Sequence, residues 1–253
     1  MVVTAHQHDS AAARGISGSL AALAEVAAQA GLPDLVSEIG TLATRIAERR
    51  YYVACVGHFK RGKSSLINAL LGEPLLPTGV VPATSVITVV RHGTDRRATV
   101  HTRDGRSAPV PLAHLAAYVS ESGNPGNGRN VATVEVSLPH VLLATGMCLV
   151  DTPGLGSTFP ESTASTAAFV PHIDAAVVVL GADPPVSLDE LELVGAVAVQ
   201  TDELILVLNK ADRVLEAERQ EARRFSEERI AERLGRFVAP MLEVSATEHR
   251  TFA

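Results

Sequence analysis

Eight consecutive residues, Gly57-His58-Phe59-Lys60-Arg61-Gly62-Lys63-Ser64, match the pattern G-x-x-x-x-G-K-[ST], and Ser65 follows directly. Glycines let such a loop curl until successive N–H groups converge on phosphate oxygens, and the amides that open a following helix add a favourable dipole. Lys63 is the side chain that would reach β and γ phosphates, and Ser64 carries the hydroxyl that would ligate Mg²⁺. A second phosphate-facing segment is Asp151-Thr152-Pro153-Gly154. There an aspartate at the end of a strand would hold a magnesium-bound water, while the Gly154 N–H reports on a γ-phosphate.

A third segment, Asn209-Lys210-Ala211-Asp212, has the form N-K-x-D. A carboxylate at Asp212 accepts from both N1–H and the exocyclic amine of guanine, whereas adenine has an acceptor at N1 and lacks that amine. Unmatched polar groups would therefore reject ATP. Asn209 and the stem of Lys210 would brace the base and the phosphate loop, and Ser245-Ala246 would offer a backbone N–H to guanine O6. A helix-capping Asp212 without a ligand is the plain alternative. Between the phosphate loop and the next strand, Leu76 to Thr84 is rich in Pro, Gly and Thr. A threonine that meets Mg²⁺ only when triphosphate is bound belongs in such a segment. Thr84 is the first choice and Thr78 the second, so the candidate metal set is Ser64, Thr84 and Asp151.

These residues need strands that end where the chemistry begins. Short apolar runs at Tyr51 to Val56, Ser85 to Arg91, Thr99 to His101, Thr133 to Ser137, Met147 to Val150, Ala175 to Leu180, Glu203 to Leu208 and Met241 to Val244 read as strands. They alternate with helical segments, the order of a mainly parallel α/β sheet with helices on both faces. Asp104-Gly105 reads as a hairpin turn, and the Gly, Pro and Asn residues of Ser122 to Asn130 as a mobile loop. Leu215 to Phe237 reads as a charged helix with Ile230, Leu234 and Phe237 on one stripe, and with Glu216–Arg219 and Glu221–Arg224 as side-chain pairs. Before the first strand, Ile16, Leu20, Leu23 and Ala27 form one helical stripe. Leu35, Ile39, Leu42 and Ile46 form another after the break at Gly31-Leu32-Pro33-Asp34. The expected division is residues 1–50 as a helical segment and 51–253 as the nucleotide domain.

Composition narrows the classes. The chain has 253 residues, 46% of them hydrophobic and 20% charged, enough to bury a sizeable core in water. Its 22 basic residues against 28 acidic ones give a net charge of −6, which argues against a broad basic face, and no nucleic-acid partner is expected. Two cysteines, Cys55 and Cys148, lie in apolar runs without metal-ligand spacing, so neither a disulfide framework nor a zinc site is signalled. The N-terminus lacks the charge and apolar pattern of a cleaved export signal, and no apolar run approaches the ~20 residues of a bilayer span. A cytoplasmic protein is expected.

The run from Gly57 through Ser65 into Leu66-Ile67-Asn68-Ala69-Leu70-Leu71-Gly72 is the first part of a wider resemblance. With Leu76 to Val90, Asp151 to Ser157, Ala182-Asp183-Pro184-Pro185-Val186-Ser187 and Asn209 to Asp212, it resembles the GTPase domain of bacterial dynamin-like proteins. The resemblance implies a P-loop NTPase fold preceded by neck-type helices, with GTP/GDP and Mg²⁺ as ligands. It implies a GTPase that dimerises across its nucleotide face, with itself or with a paralogous dynamin-like chain, and that works on a lipid membrane through regions absent from this chain. Peripheral association with the inner face of the cell membrane follows, as does a nucleotide domain without its last helix. Leu155 stands where small switch GTPases commonly place a water-orienting glutamine. Another group must compensate the transition-state charge, and Lys60 is the candidate, with Arg61 second. A ribosome-assembly GTPase shares the Gly-Lys-Ser-Ser-Leu-Ile-Asn run and stays as the alternative, as does a GTP-gated assembly module with negligible turnover.

Overall fold

The computed structural model describes residues 16–47 apart from residue 17, and residues 49–79, 85–154 and 173–247. The chain divides into two compact units, Met1–Tyr51 and Tyr52–Ala253. In the first, helix α1 covers residues 18–29 and helix α2 covers Pro33–Ala47. The break between them falls where Gly31 adopts a positive φ of 70° and the Leu32 amide returns to Ala27 O at 3.0 Å. Pro33 then opens α2, a position where its missing N–H costs nothing. The expected stripe on α2 is uneven: Ile39 is buried, while Leu35 and Leu42 are exposed.

The second unit is built on a 9-stranded sheet, ordered β4-β3-β5-β2-β6-β1-β7-β8-β9. The strands are β1 (Tyr51–Val56), β2 (Ile87–His92), β3 (Arg97–Thr102), β4 (Ser107–Val110), β5 (Val131–Leu138), β6 (Met147–Asp151), β7 (Ala175–Gly181), β8 (Leu204–Asn209) and β9 (Leu242–Glu243). β1, β7, β8 and β9 are parallel neighbours. Beyond β6 the sheet turns mixed: β2 runs antiparallel to β6, parallel to β5, and β3 is antiparallel to both β5 and β4.

The helices of this unit are α3 (Lys63–Leu70), the short α4 (Ala116–Val119), α5 (Leu188–Ala198) and α6 (Glu216–Leu234). Val178, Leu180 and Leu208 of the parallel strands share one buried cluster with Val194 and Val197 of α5 and Ile230 of α6. Strands buried on both faces read as unbroken apolar runs, which is why β7 and β8 are plain in the sequence. Cys55 lies fully buried in β1, and burial together with the nearby Asp151 charge pushes its thiol up to about 12, so it stays a neutral core group. Among the described residues no helix is long and apolar enough to cross a membrane.

Four local expectations are revised. β4 was not among the expected strands: it is an exposed edge carrying Pro109, and an edge strand needs neither burial nor every N–H. The loop expected to be mobile is pinned by two asparagines. Asn124 Nδ2 donates to Tyr118 O at 3.0 Å, and Asn127 Oδ1 accepts the Val131 amide at 2.9 Å. Phe237 lies beyond the end of α6 and is exposed, because the helix stops at Leu234 and Gly235 turns the chain at φ 63°. The buried stripe of α6 is instead Ala222, Ser226 and Ile230. Arg219, expected to pair with Glu216 along the helix, reaches across to Glu243 of β9.

Candidate functional site

The phosphate loop begins where buried β1 ends at Val56 and closes on α3, whose cap residue Gly62 has φ 93°. No side chain caps the helix there. A Cβ on Gly62 would lie 2.4 Å from Asn209 Nδ2, so the residue must be glycine for the base motif to approach. Lys63 is buried, and its ammonium donates to Gly57 O at 3.0 Å and His58 O at 3.2 Å, carbonyls of the loop itself. Burial lowers its pKa to about 8 against the opposing pull of Asp151. A phosphate entering the loop would give this desolvated cation the counter-charge that it lacks.

Ser64 and Asp151, expected to share a magnesium ion, come together: Ser64 Oγ donates to Asp151 Oδ2 at 2.6 Å. Asp151 is fully buried at the end of β6. Thr152 Oγ1 donates to Cys55 O at 2.7 Å and so ties the Asp151 segment to β1, a structural role that sequence reading did not assign. Gly154 lies against the loop, since a Cβ on it would lie 2.8 Å from Phe59 Cα and 3.1 Å from Lys63 Nζ. These groups surround a small cleft of about 70 Å³ lined by Lys63, Ser64, Ser65, Gly154 and Thr78. Thr84, the first-choice switch threonine, lies outside the described residues; Thr78, the second choice, is at the cleft. A buried hydroxyl and carboxylate in contact are a hard oxygen pair that fits Mg²⁺, and the glycine-lined curl fits a polyphosphate.

The base motif is joined to the same loop. Asn209, buried at the end of β8, donates through Nδ2 to Arg61 O at 2.8 Å and accepts the Ala246 amide on Oδ1 at 3.3 Å. Ser245-Ala246 was expected to offer a backbone N–H to guanine O6, and in this structure the Ala246 amide faces Asn209. Lys210 has φ 62°, and its ammonium donates to Lys60 O at 2.5 Å. Its pKa is held below the usual lysine range by partial burial and by Arg213, Arg61 and Lys60, so three further cations crowd this edge. Asp212 is exposed in the turn Ala211–Arg213. Arg219 and Glu243 hold that turn from behind: Arg219 Nη1 donates to Ala211 O at 3.2 Å, and Nε to Glu243 Oε2 at 2.6 Å.

Two loop cations part company. Lys60 is exposed at φ 65° with its ammonium 5.2 Å from the centre of the Phe59 ring. The guanidinium of Arg61 is not a free cation, which corrects its place as second choice for a catalytic charge: it is bound by buried Glu190. His58 Nε2 lies 3.6 Å from Asp189 Oδ2 on the outer side of the loop. His58, Phe59, Lys60 and Lys210 share a larger cleft of about 600 Å³ with the Asp183–Asp189 region. Sequence reading missed Glu190, Arg219 and Glu243. Ser187 and Glu190 form a capping box at the start of α5, and nothing in the sequence linked Glu190 to Arg61.

The sequence pattern of the dynamin family matches residues 53–211, well over half of the chain. The chain belongs to the dynamin family. It is 39% identical to an uncharacterized protein in the xynA 3′ region of Caldicellulosiruptor, over 68% of this chain and 43% of that one. It is 31% identical to the bacterial dynamin-like protein of Nostoc punctiforme, over 61% of this chain and 24% of that one. A solved structure from an oligomerised bacterial dynamin pair, described as sensing and tethering membranes at long range, superposes with a TM-score of 0.67. That match has 17% identity and covers 100% of this chain and 48% of the other. The chain therefore spans less than half the length of these relatives. The phosphate loop, Asp151 and the base motif are the parts of a dynamin-like GTPase domain, and all but the last residue of the base motif fall inside the matched span.

Proposed function

We propose that this chain binds GTP and hydrolyses it to GDP and phosphate, as the motor of a membrane-remodelling dynamin-like protein stimulated by dimerisation across the nucleotide face. The observation that carries the reading is the direct junction of base motif and phosphate loop, Asn209 on Arg61 O at 2.8 Å and Lys210 on Lys60 O at 2.5 Å. It supports a site that reads guanine and grips polyphosphate as one unit. In the mechanism, Lys63 leaves the Gly57 and His58 carbonyls for the β and γ phosphates. Ser64, and Asp151 through a water, would hold Mg²⁺, which when bound offsets charge on those phosphates.

Water attacks the γ-phosphorus, the bond to the β–γ bridging oxygen breaks, GDP leaves with that electron pair, and the water's proton ends on the released phosphate. Charge grows on the bridging and leaving oxygens, and Lys60 is the mobile cation proposed to meet it once a second copy or a paralogue presses on the loop. Thr84 and the Gly154 amide are the groups proposed to hold the attacking water. The likeness to an oligomerised bacterial dynamin pair supports the association, and the work on membranes, at the inner face of the cell membrane, rests on the family. Two measurements test the reading. Calorimetry is expected to give tight GDP binding, no ATP binding, and loss of at least about a hundredfold in affinity for Lys63→Ala. Turnover per site is expected to rise from nanomolar to high micromolar protein. ATP taken up as well as GTP defeats the base assignment, and flat turnover defeats activation by dimerisation.

A further inference from the structure

The phosphate loop is held from outside as well as from the base motif, and the outer hold runs through one buried ion pair. Arg61 Nε and Nη2 donate to the two oxygens of Glu190 at 2.7 and 2.9 Å, and Nη1 donates to Pro184 O at 2.9 Å. The Glu190 side chain has no exposure and that of Arg61 has 11%. Glu190 Oε2 also accepts the Ser187 amide at 3.0 Å, and the Ser187 hydroxyl accepts the Glu190 amide, so the same carboxylate closes the N-terminus of α5. Gly181 at the end of β7 leaves the space: a Cβ there would lie 2.4 Å from Arg61 Nη1. Burial works against the charge of Glu190, yet the bonds from Arg61 and Ser187 prevail and keep its pKa below the usual carboxylate range.

Stability alone is a poor reason for such a pair, because two apolar side chains of similar volume fill a buried site at least as well. What a guanidinium fork on a carboxylate supplies is direction. Here the fork fixes residue 61, whose own carbonyl takes Asn209 and which precedes Gly62 and Lys63. We propose that Arg61 and Glu190 are positioning residues for phosphate recognition: their bidentate contact keeps the loop in the curl that accepts a β-phosphate, so that α5 takes part in nucleotide binding without touching the nucleotide. The proposal rests on the guanine-nucleotide reading above.

The test compares GDP with GMP by calorimetry on the full chain, since GMP keeps the base contacts and lacks the β-phosphate. Wild-type protein sets the preference for GDP over GMP. E190Q is expected to reduce that preference about tenfold, and R61K, which keeps the charge but not the fork, by about threefold, with GMP affinity held in both. R61M/E190M, which removes both charges and is expected to match wild-type thermal stability, should still lack the preference. It carries the comparison with R61K if E190Q does not fold. Equal loss of GMP and GDP affinity, or an unchanged preference in R61K and R61M/E190M, overturns the proposal in favour of a purely structural pair. Wild-type protein that ignores GDP removes the guanine-nucleotide reading instead, and is recognised before any variant is made.

Discussion

Two arginines secure the two ends of the nucleotide site with the same chemistry in different surroundings. At the phosphate end, Arg61 grips Glu190 where both side chains are nearly or wholly out of water. At the base end, Arg219 grips Glu243 with side chains 24% and 23% exposed, and steadies the Asp212 turn through Ala211 O. Solvent screens the second pair and its removal leaves charges that water can hydrate, whereas the first has no such refuge. The phosphate end is therefore the one that loses most when a single partner is removed, and the base end loses least.

The largest effect that would break this contrast concerns stability. Removing one partner of the buried pair in Glu190→Gln is expected to cost about 3–5 kcal/mol. Glu243→Gln is expected to cost no more than about 1 kcal/mol. Urea unfolding of the two variants beside wild type measures both, and equal losses would show that burial does not separate the two ends.

The second effect sharpens the contrast at the base end. Asp212 is exposed, so replacing it alters recognition without disturbing the core. Asp212→Asn is expected to lower GTP affinity about a hundredfold and to raise xanthosine triphosphate affinity, because an amide can offer the donor that the oxidised base requires. The thermal midpoint without nucleotide should not move. Competition binding with the two nucleotides checks it, and unchanged GTP affinity would take the base assignment away from Asp212.

Much of this was legible in the sequence because the site is made of contiguous motifs. Lys63, Ser64, Asp151 and Asn209 carry their spacing with them: Asp151 and Asn209 end strands announced by apolar runs, and Lys63 and Ser64 open the helix after the loop that follows β1. The hydrogen bond between Ser64 and Asp151 joins residues distant in sequence, and the two were read toward one magnesium ion rather than toward each other. The pairs that hold the motifs in place were not legible. Arg61 read as a second-choice catalytic cation because a charged residue in a glycine loop has no periodicity to reveal its burial, and Glu190 drew no reading because its partner lies 129 residues away. Arg219 was assigned to Glu216 by helical spacing, and the competing partner on β9 appears only once the sheet has formed. Phe237 misled for a simpler reason: Gly235 ends α6 before the periodicity reaches it.

The smallest effect uses the buried charge of the phosphate end as its own probe. Burial sets the Lys63 pKa at about 8 in the nucleotide-free fold, below the ~10.4 of an unfolded chain. Between those values the unfolded chain binds one more proton than the folded one, so this group makes stability rise with pH across that window. Binding has the opposite sign. A β-phosphate favours the charged ammonium, so affinity is steady below pH 8 and falls above it by up to about tenfold per pH unit until the pKa of the bound state is passed. The ratio of GDP to GMP affinity at pH 7 and pH 9 isolates the effect, since ionisation of the base is common to both ligands. A ratio that does not change with pH would mean that Lys63 stays charged throughout, and the phosphate end would then be as well solvated as the base end.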